Sequence, residues 1–112
     1  MPVPDSSILR VLRLLDGSPR ITQREIAREM GVSLGKANYC LRALLGKGFV
    51  KVQNFRNSTN KRSYMYLLTP DGLVEKAVLT QRFLARKREE YDALRLEIER
   101  LQRESEATVE VP

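Results

Sequence analysis

Ile8, Val11, Leu12 and Leu15 recur at the three-and-four spacing of one helix face, and Gly17 with Pro19 closes the run. The pattern predicts a first helix capped by Ser6 or Ser7. A capping box, Thr22-x-x-Glu25, then opens a second, short helix whose Ile26, Ala27 and Met30 face inward and whose end is Gly31. Only Gly31 and Val32 separate it from Ser33, itself an N-cap for a third helix. Two helices joined by so short a turn containing Gly form a helix-turn-helix.

In the third helix Ala37, Cys40, Leu41, Leu44 and Leu45 make the apolar stripe. Gly35, Lys36, Asn38, Tyr39, Arg42 and Lys47 fall largely outside it, which makes the polar side a candidate reading face. Gly48 supplies the stop. Beyond it, Phe49–Asn54 and Ser63–Leu68 gather β-forming residues around a polar loop, Phe55–Arg62, in the manner of a hairpin or wing. Thr69 and Pro70 at cap and first-turn positions, with Asp71 and Glu75 near the helix N-terminus, announce a fourth helix. It is long, because no Gly or Pro occurs from Leu73 to Val111. Leu84, Tyr91, Leu94, Ile98 and Leu101 repeat in it at a and d heptad spacing, with Lys87 at one d position and Ser105 ending the pattern. A second copy of the same helix is the simplest partner for that stripe, in parallel or antiparallel pairing. In a parallel pair Glu90 and Arg95 meet across the seam.

The expected fold is mainly α with a small β-hairpin: a winged helix-turn-helix domain over residues 6–72, then a long C-terminal dimerisation helix over 73–104. Residues 105–112 form a tail that frays from Glu106 onward.

Charge changes this picture from architecture to partner. From Met30 to Pro70 there is no Asp or Glu, while Lys36, Arg42, Lys47, Lys51, Arg56, Lys61 and Arg62 all fall within the stretch. Seven cations with no neighbouring anion repel one another on an ordinary surface, so the pattern points to a partner that brings negative charge, nucleic acid above all, with a solvated basic face as the alternative. The winged-helix order makes double-stranded DNA the expected partner. The net charge of +6 resides in residues 1–76, with thirteen basic and six acidic side chains, whereas residues 77–112 hold seven and eight. A single cysteine, Cys40, and no histidine exclude an internal disulfide, and leave no ligand set for zinc and no histidine-based catalysis. No cofactor, metal or enzymatic activity is expected. No stretch approaches the roughly 20 apolar residues of a membrane span, and no charged start precedes an apolar run, so the expectation is a bacterial cytoplasmic protein.

Within the third helix, Lys36 and Arg42 suit phosphates or guanine edges, and Asn38 suits adenine N6 and N7 or a phosphate alone. Tyr39 is either a stacking or thymine-methyl contact or a partly covered helix residue. Ser33 caps its helix, and the same position aims its hydroxyl and the first helical amides at a phosphate. Arg56, Lys61 and Arg62 in the wing loop suit the minor groove or the backbone. Cys40 reads as a small core residue. Arg82, Arg86, Lys87 and Arg88 either meet flanking DNA or keep the long helix soluble.

The string Val32-Ser33, then Ala37, Leu41, Leu44, Gly48, Phe49 and Val50, closing with Leu68-Thr69-Pro70-Asp71-Gly72, resembles the winged-helix core of MarR-type regulators. The fuller stretch from Ser33 through Gly72, continuing into QRFLARKREEYDALRLEI, is similar to the short MarR-family regulators associated with bacterial exopolysaccharide gene clusters. The resemblance covers about residues 8 to 103. It implies a homodimer on operator DNA, with contacts from Ser33, Gly35, Lys36, Asn38, Tyr39 and Arg42 and with the wing arginine at Arg62. Where larger MarR proteins hold an Asp two residues before that arginine, this chain has Asn60. Larger members also pair through both chain ends; here the fourth helix carries dimerisation, through Leu84, Tyr91, Leu94, Ile98 and Leu101. The expected function is a sequence-specific transcriptional regulator, a repressor acting on a pseudo-palindromic operator. The alternative is a protein–protein adaptor that docks through its long helix. The sequence names no small-molecule effector.

Overall fold

The computed structural model describes residues 3–56 and 62–110. Along the chain run helices α1 (Asp5–Gly17), α2 (Gln23–Met30) and α3 (Leu34–Gly46), strands β1 (Val50–Arg56) and β2 (Arg62–Leu68), and helix α4 (Pro70–Glu110). This is the expected winged helix-turn-helix followed by a long helix. The chain divides into two compact units, Met1–Leu79 and Thr80–Pro112.

The first unit owes its shape to one core. Ile8, Leu9, Val11, Leu12 and Leu15 of α1 are buried together with Ile26, Ala27 and Met30 of α2 and Ala37, Cys40, Leu41 and Leu44 of α3. Val50 of β1, Tyr66 of β2 and Leu79 of α4 complete it. Each fully buried leucine contributes about 1.5–3 kcal/mol relative to exposure, so the helical stripes rather than any polar interaction hold this unit. Leu45, expected in the α3 stripe, is only half-buried. Among the described residues no buried side-chain nitrogen or oxygen lacks a hydrogen-bond partner.

Two of the helix starts follow the predicted capping chemistry. The Thr22 hydroxyl accepts from the Glu25 amide at 3.1 Å and donates to the Glu25 carboxylate at 3.1 Å. The Ser33 hydroxyl accepts from the Lys36 amide at 3.1 Å. α1 departs from expectation: Pro4 stands at its N-cap without a side-chain bond, and Ser6 and Ser7 lie inside the first turn. The Pro4 carbonyl accepts from the Ser7 and Ile8 amides at 3.0 and 3.1 Å. Proline's fixed φ readies the chain for a helix one residue later, and Asp5 then sits where the helix dipole favours an anion.

Helix stops set the turn of the helix-turn-helix. Gly31 adopts φ 67°, its amide donates to the Arg28 carbonyl and the Val32 amide donates to the Ala27 carbonyl. That pair of bonds is a Schellman stop, and its left-handed residue favours glycine. The same two bonds recur after α3, from Gly48 to Leu45 and from Phe49 to Leu44. Arg10 of α1 adds a cap from outside the helix: its guanidinium donates to the carbonyls of Glu29 and Met30 at the end of α2.

β1 and β2 pair antiparallel, with Val50 opposite Leu68, Val52 opposite Tyr66 and Arg56 opposite Arg62. Both strands run further toward the tip than the composition suggested, because the ladder continues through Phe55, Arg56 and Arg62, leaving residues 57–61 between the strands. The Tyr66 amide donates to the Pro19 carbonyl at 3.0 Å, so the α1–α2 turn flanks β2.

A clasp closes the base of the hairpin. The Thr69 amide donates to the Phe49 carbonyl at 3.0 Å, and the Thr69 hydroxyl donates to the Gly48 carbonyl while accepting from the Gly72 amide. Gly72 lies so close to this backbone that a Cβ there would sit 2.0 Å from the Phe49 oxygen. α4 also meets α1 through an ion pair between Lys76 and Asp16 at 2.7 Å. It continues unbroken to Glu110, past Glu106 where fraying was expected, with no Gly or Pro after Gly72 to interrupt it.

Candidate nucleic-acid interface

α3 turns two different faces outward and inward. At 100° per residue, Gly35, Asn38, Tyr39 and Arg42 fall within an arc of about 100° opposite the buried stripe of Ala37, Cys40, Leu41 and Leu44. Ser33, Gly35, Lys36, Tyr39 and Arg42 are exposed, and Asn38 is half-buried. The first turn of α3 carries no acidic residue, and Ser33 already occupies the Lys36 amide. The remaining first-turn amides and the positive end of the helix dipole therefore face outward beside Lys36, a disposition that suits a phosphate.

Asn38 differs from its neighbours in being held. Its Nδ2 donates to Oε1 of Gln23 at 3.1 Å, and Nε2 of Gln23 donates to the Tyr66 hydroxyl at 3.1 Å. The relay joins α3, α2 and β2. Neither Gln23 nor Tyr66 stood out in the sequence as a functional residue, and no local spacing reveals it, since Gln23 and Tyr66 are 43 positions apart.

In the wing, Lys61 lies outside the described residues, and only the backbones of Arg56 and Arg62 are described. The ladder register places Arg56 and Arg62 on one rung.

Cys40 is buried in the α3 stripe and free. Burial pushes its thiol pKa up, and the nearby Lys36 charge pulls it back by a smaller amount. A raised pKa keeps the group protonated and unreactive near neutral pH, in line with a packing role.

On α4, the expected seam residues Leu84, Tyr91, Leu94, Ile98 and Leu101 are all exposed in the single chain. Leu73, Val74 and Val78, near the start of the same helix, are exposed apolar residues that the heptad reading passed over. Arg86 lies over the Phe83 ring at 5.0 Å, and Lys87 pairs with Glu90 at 3.1 Å. Lys87 thus turns its charge along its own helix rather than leaving it isolated at a d position. No described helix is long and apolar enough to cross a membrane.

The family described as winged helix-turn-helix DNA-binding matches residues 4–51, which span α1 through the start of β1. This part of the chain is similar to that family, and the chain has the winged helix-turn-helix fold. Solved structures with the same winged-helix fold include a MarR/EmrR family transcriptional regulator from Acinetobacter sp. ADP1. It is 18% identical, with a TM-score of 0.60 over 90% of this chain and 75% of that one. A mutant MarR from E. coli, solved in complex with operator DNA, is 26% identical with a TM-score of 0.54, over 68% of this chain and 53% of that one. A MarR family protein from Mycobacterium tuberculosis, solved with salicylic acid, is 25% identical with a TM-score of 0.52, over 82% of this chain and 75% of that one. Among curated proteins, none matches the chain. The winged-helix domain of this chain thus sits in a fold shared with MarR-family transcriptional regulators, and its α3 occupies the third-helix place that enters the major groove in helix-turn-helix proteins of this kind.

Proposed function

We propose that the protein is a MarR-type transcriptional regulator that binds a pseudo-palindromic operator as a homodimer in the bacterial cytoplasm. The observation that carries this reading is the winged helix whose segment from Met30 to Pro70 holds seven cations and no anion, with Lys36, Tyr39 and Arg42 exposed on α3. Such a surface favours a polyanion of regular shape, and the E. coli relative bound to operator DNA supplies a precedent for the same fold. Dimeric helix-turn-helix proteins address two half-sites about one DNA turn apart, roughly 34 Å, which calls for an inverted repeat.

Repression is the expected sign, because a dimer that occupies a promoter blocks polymerase with no further contact. The likeness of the stretch from Ser33 to Gly72 to exopolysaccharide-associated regulators makes genes of that class the expected targets. The phosphate contacts are assigned to Ser33, Lys36, Arg56, Lys61 and Arg62, and base contacts to Asn38, Tyr39 and Arg42, with Gly35 letting the DNA approach the helix.

The test is selection of genomic fragments by the purified protein, followed by binding to the best fragment and to scrambled duplex over a salt series. The expected result is a recurrent inverted repeat bound at least about 10³-fold above scrambled DNA. Affinity should fall by about 0.9 log units per log unit of salt for each phosphate neutralised. Equal, weak binding to all duplexes would overturn the reading and leave α4 as a strip for docking another protein.

A further inference from the structure

We propose that Gln23 and Tyr66 are positioning residues that orient the Asn38 amide for reading one base pair, an inference that rests on the DNA-binding reading above. Asn38 stands on the edge of the α3 reading arc nearest α2, half-buried, with Tyr39 and Arg42 exposed on the same arc. A free asparagine at such a place rotates about its last torsion and presents either its oxygen or its nitrogen to a base. Here one N–H is committed to Gln23. What remains is the carbonyl oxygen and the second N–H, an acceptor beside a donor. Adenine in the major groove offers the matching pair, a donor at N6 and an acceptor at N7.

The orientation of Asn38 is only as firm as that of Gln23, and the far end of Gln23 is fixed by the Tyr66 hydroxyl. Tyr66 is anchored in turn: its ring is buried, it pairs with Val52 across the hairpin, and its amide donates to the Pro19 carbonyl. The chain of three groups therefore transmits the rigidity of the wing base to one side chain of the recognition helix. Ordering Asn38 before DNA arrives lowers the entropy lost on binding and holds its amide plane against one base position, which sharpens discrimination more than it raises affinity.

The substitution Tyr66→Phe removes one oxygen and keeps the buried ring. Gln23→Met keeps the length of the side chain and removes both polar atoms. Gln23→Glu retains an oxygen that accepts from Asn38 and is able to accept from the Tyr66 hydroxyl, so it tests rescue. The measurement is a base-by-base preference profile from randomised duplex selection, taken for the wild type, these three variants and Asn38→Ala, with folding checked by thermal melting.

The wild type is expected to prefer adenine at one position in each half-site. That preference should fall about tenfold in Asn38→Ala, Tyr66→Phe and Gln23→Met alike. Binding to scrambled duplex and its salt slope should stay unchanged in Tyr66→Phe and Gln23→Met. Gln23→Glu should bind all duplexes more weakly, through its charge, yet keep the adenine preference. An intact preference in Tyr66→Phe and Gln23→Met alongside its loss in Asn38→Ala would overturn the relay. Retention of the full profile in Asn38→Ala would overturn base reading by Asn38 itself. A wild-type protein that selects no site would instead overturn the regulator reading on which the relay depends, and that outcome is distinct from the other two.

Discussion

Thr69 and Gly72 meet the same stretch of backbone by opposite means. Thr69 spends its side chain on it, bonding Gly48 and capping α4, whereas Gly72 contributes by having none. Gly72 does not use the left-handed conformation, so its constraint is one of space. A methyl group there would meet the Phe49 carbonyl carbon at 2.9 Å as well as its oxygen, and both are main-chain atoms that no rotamer change moves aside. Gly72→Ala is therefore expected to destabilise the protein by about 3 kcal/mol, at the upper end for overpacking, despite alanine's better helix propensity. Denaturant unfolding of the two proteins checks this. A gain in stability would mean that α4 and the Phe49 backbone lie further apart than described.

At the scale of elements, α3 carries the testable load. Its exposed face holds Lys36 and Arg42 on either side of Tyr39, and its buried face holds the core, so alanine at either cation should leave folding intact. Lys36→Ala is expected to flatten the salt dependence of operator binding by about one phosphate equivalent. Arg42→Ala is expected to weaken operator binding about tenfold or more. Unchanged binding and salt slope in both would remove α3 from the interface. The elements themselves were legible in the sequence because their causes are local. The Thr22 and Ser33 caps, the Gly31 stop and the helical spacing of Ile26 and Leu41 each act within one or two turns. What escaped was non-local or competitive. The Asn38–Gln23–Tyr66 relay and the Arg10 cap on α2 depend on distances that only tertiary packing sets. At α1 two serines offered caps, and Pro4 started the helix ahead of both. One signal in the sequence did foreshadow the clasp: a glycine at the third position of a helix is a poor helix former and hints at a close approach.

For the molecule as a whole, dimerisation decides whether two α3 helices address one operator together. Leu94 and Ile98 are exposed apolar residues one turn apart on α4, and glutamate at both should abolish a paired seam without harm to an already solvent-facing helix. The double variant Leu94→Glu with Ile98→Glu is expected to show a light-scattering mass near 12.9 kDa and to lose operator binding at concentrations where the wild type is saturated. A dimer that survives would place the interface elsewhere, with α1 or the Leu73, Val74 and Val78 patch as the next surface to change. The Thr69 clasp bears on how such a protein diversifies. Because it ties the chain's entry to the wing directly to its exit, the two strand ends at the base stay fixed whatever the tip carries. Lengthening or rewriting its tip then costs little beyond loop-closure entropy, about 0.6 kcal/mol for each doubling of the loop. Descendants of one such chain are free to change how far they reach around a duplex while inheriting the same core.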